Sequence, residues 1–454
     1  MPSSESRIAR LLMAQEIRSL LGSLSVWIML VILSLLVGYS FIQAVDLFTQ
    51  ASKTALAYPE LASGMNPMEG IFVPTMGAYY LVETLLLPFV VIRLVGQDKQ
   101  TGTLKLLLQL PLSPFTLGLV KLGALSVIGI LFLIPGASAV IIWHFLGGMV
   151  YLPELSTLVL GHLLYILAIV CIAMFAAVVS STLATAAMIC LAVTLGSWVL
   201  DFAANSSPWA AVLSRFSLTT LLRQFESGLL SSTAIASLLA ISVLFFFAAS
   251  ILLHPGHQWV ARLKAFILVA IIIFVSAWGI LQKPLTLDTT ENHRHSFNPA
   301  DMRALKKMKT PLKITVHMAH EDSRLYDFEH SILSKLRRTV PQLEIIYAPT
   351  QSTGLFGSPE SDNYGLIEYN YLGKHDESYS TSAYEILPLL HALAGQKVSP
   401  DAIPPYTGHP LIADAGKSQW WFYLVLPLIF LISGFQFRHP QLLSHLFGGH
   451  SNEN

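Results

Sequence analysis

Eight runs of roughly twenty mostly apolar residues, each long enough to cross the hydrocarbon core of a bilayer, punctuate this chain near 24–46, 73–95, 121–145, 157–180, 183–204, 230–253, 264–282 and 420–437. No other feature restricts the fold so strongly, because a segment that spans a bilayer must satisfy its backbone internally and therefore be helical or part of a closed barrel. Runs of this length without period-2 alternation favour helices. Charged residues make up 12% of the chain, against about a quarter in soluble domains, so a soluble fold is excluded. The expected class is a polytopic α-helical membrane protein. The first run is too long for a signal-peptide core and lacks a small-residue cleavage site, so it is expected to stay in the membrane.

Orientation follows from the placement of Lys and Arg in the short loops. With the N-terminus in the cytoplasm, Arg7, Arg10, Arg18, Arg93, Lys99, Lys105, Lys121, Arg262, Lys264 and Arg438 all lie inside, and only Lys53, Arg215 and Arg223 lie in short outer loops. Both termini are then cytoplasmic, in a cytoplasmic (inner) membrane. Residues 283–418 are exported and carry more than half of all charged residues in the chain. The formal net charge is zero, so the overall balance points to no nucleic-acid partner. Cys171 and Cys190 both sit inside apolar runs and suit neither a disulfide framework nor a CxxC metal site.

Between the second and third runs lies GQDKQTGTLKLLLQLPLSP, residues 96–114. Asp98 and Lys99 open it, Gly102 and Thr103 form a bend, Leu104, Leu107 and Leu108 recur at helical spacing, and Pro111 and Pro114 end the helix before the next span. The plainest reading is a connecting loop with an interfacial helix. The spacing of Asp98, Gly102, Thr103, Leu104, Leu107, Pro111, Ser113 and Lys121 resembles the signature of type-2 ABC exporter permeases. It departs from that pattern at Asp98, where Glu is usual, and at Lys105, where an acidic residue often stands.

Two further stretches are similar to the gliding-motility kind of these permeases. AQEIRSLLGSLSVWIMLVILSLLVGYSF, residues 14–41, resembles the elbow and first span, and LSRFSLTTLLRQFESG, residues 213–228, resembles the outer loop before the last core span. The resemblance implies a cytoplasmic elbow at 1–23 and a six-span core at 24–253 with a coupling helix at about 97–110. A linker and seventh span at 254–282, an eighth span at 419–438 and a tail at 439–454 complete the chain. Asp98, Lys99, Gly102, Thr103, Leu104, Leu107, Pro111 and Lys121 are the expected ATPase-coupling residues. Substitution of Gly102 or Asp98 is expected to uncouple transport without unfolding the protein. The partners implied are a separate ABC ATPase subunit, which binds the ATP, a second copy of the permease, membrane lipid and an outer substrate-binding or accessory protein. The chain itself is then non-catalytic and carries no cofactor. DAGKSQ, Asp414–Gln419, is no phosphate loop, since Leu411 stands where GxxxxGK[ST] needs its leading glycine.

In the exported segment, a helix from Asn298 or Ser296 through Lys306 precedes an alternating strand at Leu312, Ile314 and Val316. A helix at 322–339, a strand at 343–348, a strand at 364–373, a polar turn at 374–377 and a helix at 382–394 follow. The expected fold is a small α/β extracytoplasmic domain. Asp288, Thr289, Ser296, Leu305, Pro311, Leu312, Ile314 and Val316 resemble the auxiliary exported domain of the gliding-motility systems, as a shortened fusion. His293, His295, His317, His320 and His330 cluster in sequence without the closed ligand set of a zinc site, so no metal is expected.

Glu83 lies within a span, where a carboxylate is costly and usually faces a bundle interior or cavity. It is the candidate for the translocation path or dimer interface. Two functions are carried forward: a permease subunit coupling a partner's ATP hydrolysis to substrate translocation, and a membrane-anchored binding or scaffold protein acting through its exported domain.

Overall fold

The computed structural model describes residues 4–203, 208–253, 259–282, 284–319, 322–348, 363–398 and 406–438. The expected tail at 439–454, the residues just before Trp259, and His320 lie outside these. The chain divides into two compact units, Met1–Leu287 with Thr407–Asn454, and Asp288–Tyr406.

Among the described residues of the first unit, seven helical stretches are long and apolar enough to cross a membrane: Leu24–Ala57, Met68–Gln100, Pro114–Phe145, Leu152–Val179, Leu183–Ala203, Ser232–Leu253 and Gly416–Arg438. The chain is thus a multi-pass helical membrane protein with a small sheet-bearing unit. In chain order, the first helices are α1 (Ser4–Leu21), α2 (Leu24–Ala57), α3 (Val73–Leu85), α4 (Leu87–Gln100), α5 (Thr103–Leu107) and α6 (Pro114–Phe145). Then come α7 (Leu152–Val179), α8 (Leu183–Ala203), α9 (Pro208–Ser214), α10 (Leu218–Glu226), α11 (Ser232–Leu253) and the 24-residue α12 (Trp259–Gln282).

Local chemistry explains the breaks. Pro88 has no N–H to give the Thr84 carbonyl, and the second stretch parts at Leu86 into α3 and α4. Ser113 accepts from the Thr116 N–H and caps α6, with Pro114 at its first turn, where a missing donor costs nothing. In α1, Leu12, Glu16 and Leu20 recur every four residues and so share one face, and all three are buried.

The stretch Gly416–Arg438 ends in α17 (Leu426–Arg438) and packs along α2. Gly38 and Gly434 make that approach close: a Cβ on Gly38 would meet Phe422 at 2.3 Å, and one on Gly434 would meet Trp27 at 2.6 Å. With 34 residues, α2 is about 50 Å long at 1.5 Å per residue, well beyond a hydrocarbon core. Its extra turns hold the returning chain, for Thr49 Oγ1 donates to the Ala413 carbonyl and accepts from its N–H, and Ser52 Oγ accepts from the Leu411 N–H. Residues 407–417, expected with the exported segment, therefore belong to the membrane unit.

The second unit holds a four-stranded sheet, β1 (Leu312–Val316), β2 (Leu343–Tyr347), β3 (Ile367–Tyr371) and β4 (Lys374–Ser378), in spatial order β2-β1-β3-β4. β1 and β2 are parallel, with Ile314 opposite Ile345, and the other pairs are antiparallel. Between β1 and β2 run α14 (Ser323–Phe328), a π turn and α15 (Ser334–Thr339), following α13 (Pro299–Leu305); α16 (Ala383–Leu393) comes after the sheet. Leu312, Ile314 and Val316 are fully buried and meet Leu325, Phe328, Ile332, Leu333 and Leu336 in one core. The polar stretch 374–377 is not a turn but an edge strand. The turn falls one step earlier, at Leu372 and Gly373, both with positive φ, the geometry of a two-residue hairpin.

Candidate functional site

The expected coupling residues fall into two sets. Lys121 lies on the inward stripe of α6 with Leu117, Ala124 and Ile128, and is 1% exposed. Its ammonium lies 2.7 Å from Glu16 Oε1 of α1 and 2.5 Å from Asp98 Oδ2 of α4. One buried cation thus ties three helices together. Leu104 is buried among Leu12, Leu117, Val120 and Leu253, with Leu107 packed at the edge. Lys99 Nζ donates to the Val178 and Ser180 carbonyls, satisfying the C-terminal end of α7 as a cation there should.

The other set faces outward. Thr103, Lys105, Leu106, Gln109 and Pro111 are exposed, Leu106 at 66%. Gly102 has φ +78° and precedes α5, a left-handed conformation that glycine enters without penalty. Of the expected coupling residues, Asp98 and Lys121 anchor the segment from within, and Leu104 does the same through packing. Sequence reasoning missed Glu16, whose signal was an acidic residue on the apolar stripe of α1.

A second polar cluster lies in the membrane core. Glu83, in the last turn of α3 before the Pro88 break, is fully buried, and both its oxygens lie 3.1–3.2 Å from His162 Nδ1. His162 Nε2 lies 3.6 Å from Glu226 Oε1 at the end of α10. Gly161 permits this approach, since a Cβ there would meet Phe225 at 2.3 Å. Beside them Tyr79 Oη donates to the Phe132 carbonyl and accepts from the Gly136 N–H. An unbroken helix would pair those two backbone groups directly; next to Pro135 the phenol stands between them. Thr84 Oγ1 and Tyr165 Oη share a 2.7 Å hydrogen bond.

A cavity of roughly 280 Å³ adjoins the cluster, walled by apolar side chains such as Met76, Val140, Leu155 and Ile166, with Tyr79, Glu83 and His162 as its polar face. Glu83 was legible in the sequence as an intramembrane acid. His162 carries the same signal and was missed, and Glu226 carries none. Asp201 is held by the Thr220 hydroxyl at 2.8 Å.

In the second unit, Asp288 and Ser296, both picked out by the resemblance, are in contact. Asp288 accepts from the Ser296 hydroxyl, from the Thr290 N–H and hydroxyl, and from the His295 N–H. Burial works to raise its carboxyl, but those donors prevail and hold it below its ordinary value. The Arg324 hydrogen bond holds Asp322, the cap of α14, down at about 2. His317 Nε2 pairs with Glu368 at 2.9 Å, and among the described residues no group of three or more His, Cys, Asp or Glu is placed to hold a metal.

Comparison of the chain with protein-family models, with curated proteins and with solved structures finds no match.

Proposed function

We propose that the chain is the permease subunit of an ABC exporter, in which residues 98–113 receive the motion of a separate ATPase subunit. The observation that carries this reading is the two-sidedness of that segment. Its anchoring residues are bound into α1, α4, α6 and α7, by Asp98 and Leu104 from within through Lys121 and Glu16 and by Lys99 at the surface onto the end of α7, while Lys105 and Leu106 stand exposed and unanchored on α5. A push on the exposed face would therefore pass into four helices at once. Packed helices respond by discrete shifts and not by continuous bending, which suits a two-state transporter. In this reading two permeases form the path, the Asp288–Tyr406 unit is extracytoplasmic and engages substrate or an accessory protein, and ATP is bound only by the partner.

Photo-crosslinking from position 106 in native membranes, followed by ATP turnover in lipid, tests it. An ATP-binding cassette chain should be captured, and Leu106→Asp and Lys105→Glu should abolish stimulated turnover while the melting temperature stays unchanged. Failure of any ATPase to associate with the wild-type chain would overturn the reading and turn attention to the second unit, which has its own core.

A further inference from the structure

Glu83, His162 and Glu226 put two carboxylates against one imidazole inside a bundle. If all three are ionised, the cluster carries one net negative charge, and an uncompensated charge in a membrane core is strongly unfavourable. With Glu83 fully buried and Glu226 16% exposed, the cluster favours one further positive charge, a proton or a bound cation. Neighbouring polar groups do not supply it. The groups acting electrostatically on Glu83 are His162 and Glu226, and those on His162 are Glu83 and Glu226. The phenols nearby, Tyr79 and Tyr165, are neutral donors already committed, Tyr79 to the α6 backbone and Tyr165 to Thr84.

The cavity beside the cluster says what else could enter: Glu83, His162 and the Tyr79 phenol form its polar face, and the rest of its wall is apolar. Its volume lies near the lower edge of ligand pockets, about 300 Å³, and so suits a small body.

We propose that this cavity binds a small apolar molecule bearing one protonated amine, which seats its ammonium on Glu83 in exchange for the proton that neutralises the empty cluster. The apolar body fills the space between α3, α6 and α7. The exchange is balanced in charge: one proton leaves the Glu83–His162–Glu226 cluster as one ammonium arrives. Binding then weakens as pH falls, because protons compete for the same negative charge while the amine stays charged throughout. The inference stands whether or not an ATPase drives the chain.

The test uses the purified full chain in nanodiscs with tritiated hexylamine as probe and unlabelled hexanol as its uncharged counterpart. Saturable binding is expected at pH 8, about tenfold weaker at pH 5, and not displaced by hexanol. Glu83→Gln and Glu226→Gln should each lower affinity by about tenfold or more and flatten the pH dependence. Ala137→Phe, at an exposed position on the cavity wall, should block binding without touching the cluster and guards against a Glu83 variant that fails to fold. Absence of saturable binding, equal competition by hexanol, or unchanged affinity in Glu226→Gln and Ala137→Phe would each overturn the proposal.

Discussion

Lys121 of α6 sets its ammonium 2.5 Å from the Asp98 carboxylate of α4, and the same nitrogen reaches Glu16 of α1 at 2.7 Å. The chain thereby spends its one cation on this stripe of α6 as an internal clasp. Two acids around one ammonium leave little for the charge to lose to water, and removing the ammonium leaves two carboxylates facing each other at low exposure. Breaking a buried pair from one side costs about 3–5 kcal/mol. Lys121→Met is therefore expected to lower the melting temperature in detergent by far more than Asp98→Asn, whose side chain is 21% exposed. Fluorescence-monitored melting of both variants checks the ranking, and equal effects would mean that the Lys121–Asp98 pair carries the clasp and Glu16 adds nothing to it.

Gly102 should respond to backbone chemistry alone. At φ +78° with open space around a virtual Cβ, Gly102→Ala meets no clash but must enter a left-handed conformation, at a cost of about 1 kcal/mol. Gly102→Asn should cost less. Hydrogen exchange over residues 101–112 should quicken in the order Gly, Asn, Ala, while the rest of the protein keeps its protection.

Gly161 sets the distance between α7 and α10. A Leu there would drive into Phe225, and overpacking of this kind costs about 1–3 kcal/mol. Gly161→Leu should lower the melting temperature and move Glu226 away from His162. A double variant with Phe225→Ala should recover part of the loss, which a double-mutant melting cycle would read as coupling.

Acid should weaken the second unit in a definite window. Asp322 is held down at about 2 by Arg324, from an ordinary 3.8, and Asp288 is also lowered, mainly against its burial, by Ser296 and Thr290. A carboxyl whose folded value lies below its unfolded one contributes stability that is complete above the unfolded value and disappears as pH falls through the folded one. Calorimetry of the full chain from pH 5 to about pH 2 should show the transition of this unit moving down in temperature below about pH 4. Asp322→Asn should show a shallower slope, and an unchanged slope would remove Asp322 from the account.

Much of the architecture follows from the sequence because it is decided locally. Apolar runs announce the long helices, and Pro88, Ser113 and Pro114 mark their breaks and starts. The alternation of Leu312, Ile314 and Val316 marks a half-buried strand, and Ser382 caps α16 where its type and place suggest. Local polarity misled at Lys374–Ser378, which is polar on both sides because it is the exposed edge strand of the sheet, where charge is tolerated and discourages further pairing.

What only the tertiary structure decided are the meetings of residues far apart in the chain. Nothing in local pattern says that Glu83 closes on His162, that Tyr79 enters the backbone of α6, or that α17 lies against α2. Nor does spacing reveal that Asp98 and Lys121 look inward while Lys105 and Leu106 look out. Hydropathy records the free energy of leaving water residue by residue. The partner that makes a buried charge or hydroxyl tolerable is chosen by packing, and at Gly38, Gly161 and Gly434 that packing turns on the absence of a single carbon atom.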